Sequence, residues 1–158
     1  GRALVAGETY HLRVSEEAKD VMGCPIATAH RITFEATEAD LASPSTTDWE
    51  LSAPRIGTRA PLIVLLDGPL DHLSLAYRLR VIGPDGVPIP GRITLQAAET
   101  RWQFTPNAPW RDATYQLAID PQLEDLAGNR PGVLFDQPIG TPHKPWTPQL
   151  VWSPKPPD

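Results

Sequence analysis

Asp67, Asp71 and His72 form the densest cluster of chemically capable side chains in this sequence. Two carboxylates beside an imidazole are the ingredients of general acid–base catalysis. Here they flank Gly68-Pro69, a turn-forming pair, so the expectation is solvated turn residues. No nucleophile accompanies them: there is no Gly-x-Ser-x-Gly, and no Ser or Cys adjoins a histidine. The histidines, His11, His30, His72 and His143, lack a short metal-ligand spacing, and Cys24 is the single cysteine. A second cluster, Asp120, Glu124, Asp125, Asn129 and Asp136, gathers oxygen donors around one turn. Within it, Asp120, Asp125 and Asn129 are the residues to test for calcium. Calcium takes six to eight oxygens, and the chain has neither an EF-hand loop nor a dense Asp-x-Asp run, so no metal is expected. The remaining candidates are aromatic. Of five tryptophans, Trp102 alternates with Phe104 and reads as core. Trp146 and Trp152 lie in a proline-rich tail with Leu150 and are the candidates for contact with a partner or a sugar ring. Packing against the chain's own sandwich is the competing reading of both. The expectation is therefore no catalytic residue, no cofactor and no enzyme.

The elements that must position these groups are short. Proline makes up 19 of 158 residues, about 12 % against a usual ~5 %, which disfavours long helices and a helical bundle. Net charge is -5, and the basic residues are scattered as single arginines, so a nucleic-acid partner is not expected. The longest apolar run, Leu62 to Leu66, cannot span a bilayer, and no Lys/Arg-rich amphipathic stretch suggests surface binding. The chain starts at Gly1-Arg2 without a signal peptide and reads as a mature form or an excised fragment. Val21-Met22-Gly23-Cys24 faintly resembles a lipoprotein cleavage box, but charged residues precede it, so Cys24 reads as a loop thiol.

Period-two alternation marks strands at Tyr10–Val14, Ile32–Phe34, Tyr77–Val81, Ile93–Leu95, Trp102–Phe104, Tyr115–Ile119 and Val133–Phe135. Leu62 to Leu66 reads as a strand covered on both sides. Gly83-Pro84-Asp85-Gly86 is a turn leading to a further strand near 87–89. Short helical turns are expected at 15–23 and 120–126, the last capped by Asp120-Pro121, and 37–41 reads as a third turn or a linker. Many short strands with regular turns predict an all-β, antiparallel sandwich with one or two helical turns.

A shift of 105 residues lays Thr9-Tyr10 on Thr114-Tyr115, Leu12 on Leu117, Asp20 on Asp125 and Gly23 on Gly128. After a small gap Phe34 corresponds to Phe135. Residues 1–40 thus read as the closing part of a preceding module or as extra strands. Residues 44–140 read as a whole sandwich, and 141–158 as an extended Pro/Trp-rich tail.

Tyr115 to Ile119 followed by Leu123 to Asn129 resembles the ending of bacterial Ig-like domains of the S-layer SbsA type. Trp102-Gln103-Phe104-Thr105-Pro106, then Pro109-Trp110, resembles an upstream strand of the same family. Leu62 to Asp71 resembles its early strand. The first copy departs from the pattern, with Gly23-Cys24 where the family has Gly-Asn. Physically, Asp125 can accept turn N–H groups, Gly128 can take left-handed backbone, which Asn129 also tolerates, and Tyr115 can tie a hydroxyl to backbone; Tyr10, Asp20 and Gly23 are their counterparts in the first copy of the motif.

The resemblance implies a non-catalytic structural or interaction module, of spacer or adhesion type. It would belong to an exported bacterial protein of the periplasm, outer membrane or cell surface. Its partners would be neighbouring domains or other envelope proteins, without membrane insertion. The alternative is an accessory module that binds a carbohydrate or a peptide through exposed Trp or an edge strand.

Overall fold

The computed structural model describes residues 4–26, 28–132 and 149–157. The chain forms two compact units, Gly1–Asp40 and Leu41–Asp158.

In the first unit β1 (Thr9–Val14) and β2 (His30–Glu35) pair antiparallel, with Tyr10 opposite Phe34, Leu12 opposite Ile32 and Arg13 opposite Arg31. Strand period two gives this hairpin two different faces. Tyr10, Leu12, Ile32 and Phe34 occupy one, with the Tyr10 and Phe34 rings stacked at 6.0 Å. His11, Arg13, Arg31 and Thr33 occupy the other. Leu12, Ile32 and Phe34 are exposed.

The second unit contains β3 (Glu50–Ser52), β4 (Leu62–Leu65), α1 (His72–Tyr77), β5 (Leu79–Ile82), β6 (Gly91–Gln96), β7 (Arg101–Pro106), β8 (Tyr115–Ile119) and β9 (Gln149–Trp152). Four strands form one sheet in the order β3-β4-β7-β6, and three form another, β5-β8-β9. Every strand pair is antiparallel. Numbered from β3 onward, this is the order of a seven-stranded immunoglobulin sandwich of the constant type. Its core joins both sheets: Leu62, Val64, Trp102 and Phe104 from one, Leu79, Val81, Tyr115, Leu117 and Trp152 from the other. Alternation supplies those faces directly, since β7 is buried at Trp102, Phe104 and Pro106 and β8 at Tyr115, Leu117 and Ile119. The all-β, antiparallel expectation is met.

Glycine is required at Gly91, where a Cβ would collide with the Phe104 ring across the β6–β7 pair. The turn joining these strands is strained. Ala97, Ala98 and Glu99 all have left-handed backbone, with φ of 53°, 49° and 60°. Thr100 closes that turn, its N–H and hydroxyl both donating to the Ala97 carbonyl at 3.3 and 2.7 Å.

Several sequence expectations are corrected. The closing strand lies at Gln149–Trp152, and Val133 and Phe135 fall outside the described residues. Residues 149–152 are therefore sheet, not free tail. Tyr77 ends helix α1 instead of opening a strand, because Asp71 caps the helix by accepting the Ser74 N–H at 2.7 Å. β4 is covered on one face only, with Leu62 and Val64 buried and Leu65 exposed. Residues 15–23 and 120–126 form Asx- and Ser-type turns, and 37–41 has no helix. Among the described residues the helical ones are α1 and a 3₁₀ turn at Thr46–Asp48. Residues 87–89 make only a bridge, Ile82 to Pro88, beyond the Gly83–Gly86 turn.

Candidate functional site

The acidic cluster near 70 is dispersed by the fold. Asp67 accepts the Ser45 N–H at 2.7 Å and the Trp49 indole N–H at 3.0 Å, fixing the segment that enters β3. Asp71 is the α1 cap. The ring of His72 lies 3.0 Å from Glu99 on the strained turn. Each group holds a different piece of backbone or loop, and the three do not converge on a common point.

The second cluster is likewise occupied. Asp125 is buried, and its Oδ1 accepts the N–H groups of Ala127 and Asn129, both at 2.8 Å. Its Oδ2 accepts the Asn129 amide at 3.0 Å. Glu124 pairs with Arg130 at 2.8 Å. Asp120 accepts the Gln122 N–H and the Arg78 guanidinium, both at 2.8 Å. These contacts, the backbone N–H first and the guanidinium second, hold the Asp120 carboxyl below its ordinary pKa. Among the described residues no three His, Cys, Asp or Glu side chains are grouped to hold a metal ion. The calcium candidates Asp120, Asp125 and Asn129 are thus parts of turns, and Asp136 lies outside the described residues. No helix among the described residues is long and apolar enough to cross a membrane.

Four of the five tryptophans are interior. Trp49, Trp102, Trp110 and Trp152 are 7, 0, 2 and 7 % exposed. Trp102 and Trp110 donate to the carbonyls of Leu75 and Ala60 at 3.2 and 2.8 Å. Trp152 stacks on Tyr115 at 5.1 Å and meets Trp110 edge-on. The partner-contact role expected of Trp152 is corrected: its opposition to Tyr115 in the β8–β9 pair places it in the core. Leu150 is half-buried and packs against that core, which corrects its role in the same way. Trp146 lies outside the described residues. Beside Trp110 and Tyr115, a shallow cleft of about 200 Å³ is lined by Ile89, Pro90, Pro106 and Pro109.

The repeated motif is where sequence and geometry agree most closely. The Tyr115 hydroxyl accepts the Arg111 N–H at 3.1 Å, a tyrosine corner at the start of β8. The Tyr10 hydroxyl accepts the Val5 N–H at 2.8 Å. Asp20 Oδ1 accepts the N–H groups of Met22 and Cys24, both at 2.9 Å, as Asp125 does at Ala127 and Asn129. Gly23 and Gly128 both have φ of 83° and donate to the carbonyls of Asp20 and Asp125. Cys24 replaces Asn129 without changing the backbone bonds and stands exposed in its turn.

Two features escaped sequence reasoning. One is the fourth buried tryptophan, Trp49, whose signal was the Asp67 partner waiting across β4. The other is the pairing of Arg13 with Arg31 beside His11, visible only once the β1–β2 register is known. With Ala29 and His30 these residues line a cleft of about 300 Å³. No protein-family model and no curated protein matches this sequence.

Proposed function

We propose that the chain is a non-catalytic structural and interaction module from an exported bacterial envelope or surface protein. In this reading it is built from tandem Ig-like sandwiches similar to the S-layer SbsA type. The observation that carries the reading is the recurrence in both units of a tyrosine hydroxyl tied to upstream backbone and an Asp turn closed by a left-handed glycine. Such recurrence fits duplication of a module whose role is geometric. The chemistry-bearing side chains support it too, since Asp67, Asp71, Asp120 and Asp125 are engaged in caps, turns and ion pairs.

In unit 2 the face of β8 and β9 bearing Tyr115, Leu117 and Trp152 is covered by the β3-β4-β7-β6 sheet. The matching face of β1 and β2 bears exposed Leu12, Ile32 and Phe34. A lone two-stranded hairpin is marginal in water. In the parent polypeptide this face would be covered by a four-stranded sheet of the same design. The sugar-binding alternative loses Trp49, Trp102, Trp110 and Trp152 as contact residues because they are buried.

Two measurements test the reading. Fractionation of the source cells should find the parent protein in the envelope, and a cytosolic pool would overturn the exported setting. Amide exchange should be fast at β1 and β2 in the 158-residue chain and slow at the same amides in the intact parent. Equal exchange in both would overturn the tandem reading.

A further inference from the structure

The outward faces of the two units differ in kind. In β1 and β2 this face carries His11 and Thr33, joined at 2.9 Å, and then Arg13 directly opposite Arg31. Like charges at opposed positions destabilise a strand pair. Among the described residues no carboxylate lies within ion-pair distance of either guanidinium. The motif does not demand this arrangement. At the matching positions of unit 2, Gln116 stands for His11, Ala118 for Arg13 and Val151 for Thr33. The cationic pair is an addition to a scaffold that forms without it.

We propose that the cleft lined by His11, Arg13, His30 and Arg31 binds a tetrahedral oxyanion, the phosphate or sulfate group of an ester. Opposed Cα atoms in an antiparallel pair stand about 5 Å apart, so both guanidinium forks can reach one group. Each fork offers paired N–H donors, the geometry that suits a polyvalent oxyanion better than a halide. A bound anion shared by both guanidinium groups turns the Arg13–Arg31 repulsion into a bridge. The cleft, about 300 Å³, accommodates the oxyanion with part of its carrier. The net charge of -5 acts against extended polyanions, so the site selects a terminal ester group over a nucleic-acid backbone. This inference stands apart from the module reading, because it uses only the β1–β2 register and the residues that line the cleft.

The test is an amide NMR titration of the full chain with inorganic phosphate and, separately, inorganic sulfate. Sodium chloride holds ionic strength constant, and pH is fixed. Saturable shifts are expected at His11, Arg13, Arg31 and Thr33, with none at Gln116, Ala118 and Val151. The arm that saturates at lower concentration identifies the preferred ester. Arg13→Gln and Arg31→Gln should each weaken binding by roughly tenfold, and the double variant should lose it. Unchanged Tyr10 and Phe34 signals certify that the hairpin is intact in each variant. Non-saturating shifts, equal shifts on the unit 2 face, or undiminished binding in an intact double variant would overturn the proposal.

Discussion

Tyr10 to Cys24 and Tyr115 to Asn129 build the same turn from matching backbone bonds in opposite surroundings. Both have a hydroxyl tied to upstream backbone, an aspartate gathering two N–H groups and a glycine at φ of 83°. Yet Tyr115 and Leu117 are 3 and 0 % exposed, whereas Leu12 is 53 % exposed. The motif is therefore built by short-range bonds that need no core. Burial is a separate property, supplied by the second sheet. Side-chain bonds made in water contribute little net stability, while the same bonds beside a core are costly to lose.

The largest contrast should come from packing. Trp102→Ala should destabilise unit 2 by about 3–5 kcal/mol in denaturant unfolding, whereas Leu12→Ala should change the same transition by less than about 0.5 kcal/mol. A comparable loss from both would break the distinction between covered and bare faces. Next comes the aspartate pair. Asp125→Ala removes the acceptor of the buried Asn129 N–H and one acceptor of its side-chain amide, and should cost about 3 kcal/mol. Asp20→Ala leaves exposed N–H groups that water can satisfy, so amide exchange in its turn should rise only slightly. The glycines sharpen the comparison from the other side. Gly23→Ala and Gly128→Ala put the same left-handed strain into both turns, about 1 kcal/mol each, because backbone conformation is indifferent to burial. Unequal glycine effects would show that the two turns differ beyond their surroundings.

The smallest effect is in acid. Asp120 has a lowered folded pKa, so its contribution is present above the ordinary carboxylate pKa and fades as pH falls through the lowered value. Arg78→Ala should raise the acid-unfolding midpoint of unit 2 slightly, followed by tryptophan fluorescence against pH. The matching residue of the first unit, Ser15, carries no charge, and its turn should show no such acid dependence.

Fold class, the tyrosine corners, the Asp turns and the Trp102–Phe104 face were legible because each rests on neighbours close in sequence or on strict alternation. The register of β1 on β2 was not legible, since nothing local says that Arg13 meets Arg31. The strand at Gln149–Trp152 was missed for a related reason. The repeat laid Phe135 under Phe34, but the ring stacked on Tyr115 is Trp152. Pro148 and Pro154 made 149–152 look like tail, yet the five residues between them suffice for a four-residue edge strand, where the ends need no ladder donor. Helix α1 was hidden because Leu73, Leu75 and Tyr77 also fit alternation, and six residues are too few for the two periods to diverge.

Beyond β9 the chain returns to the beginning of its own sandwich. The Lys155 N–H donates to the Pro54 carbonyl at 2.8 Å, and the Ile56 N–H donates to Lys155 at 2.9 Å, forming a parallel bridge between Arg55 and Lys155. The segment that leaves β3 and the segment that leaves β9 thus run side by side in the same direction. Tension applied through its two ends pulls these segments past one another and loads both bonds together in shear, instead of opening them one at a time. The segment beyond β9 would act as a mechanical latch that shares the load with the β3–β4 pairing upstream of Arg55.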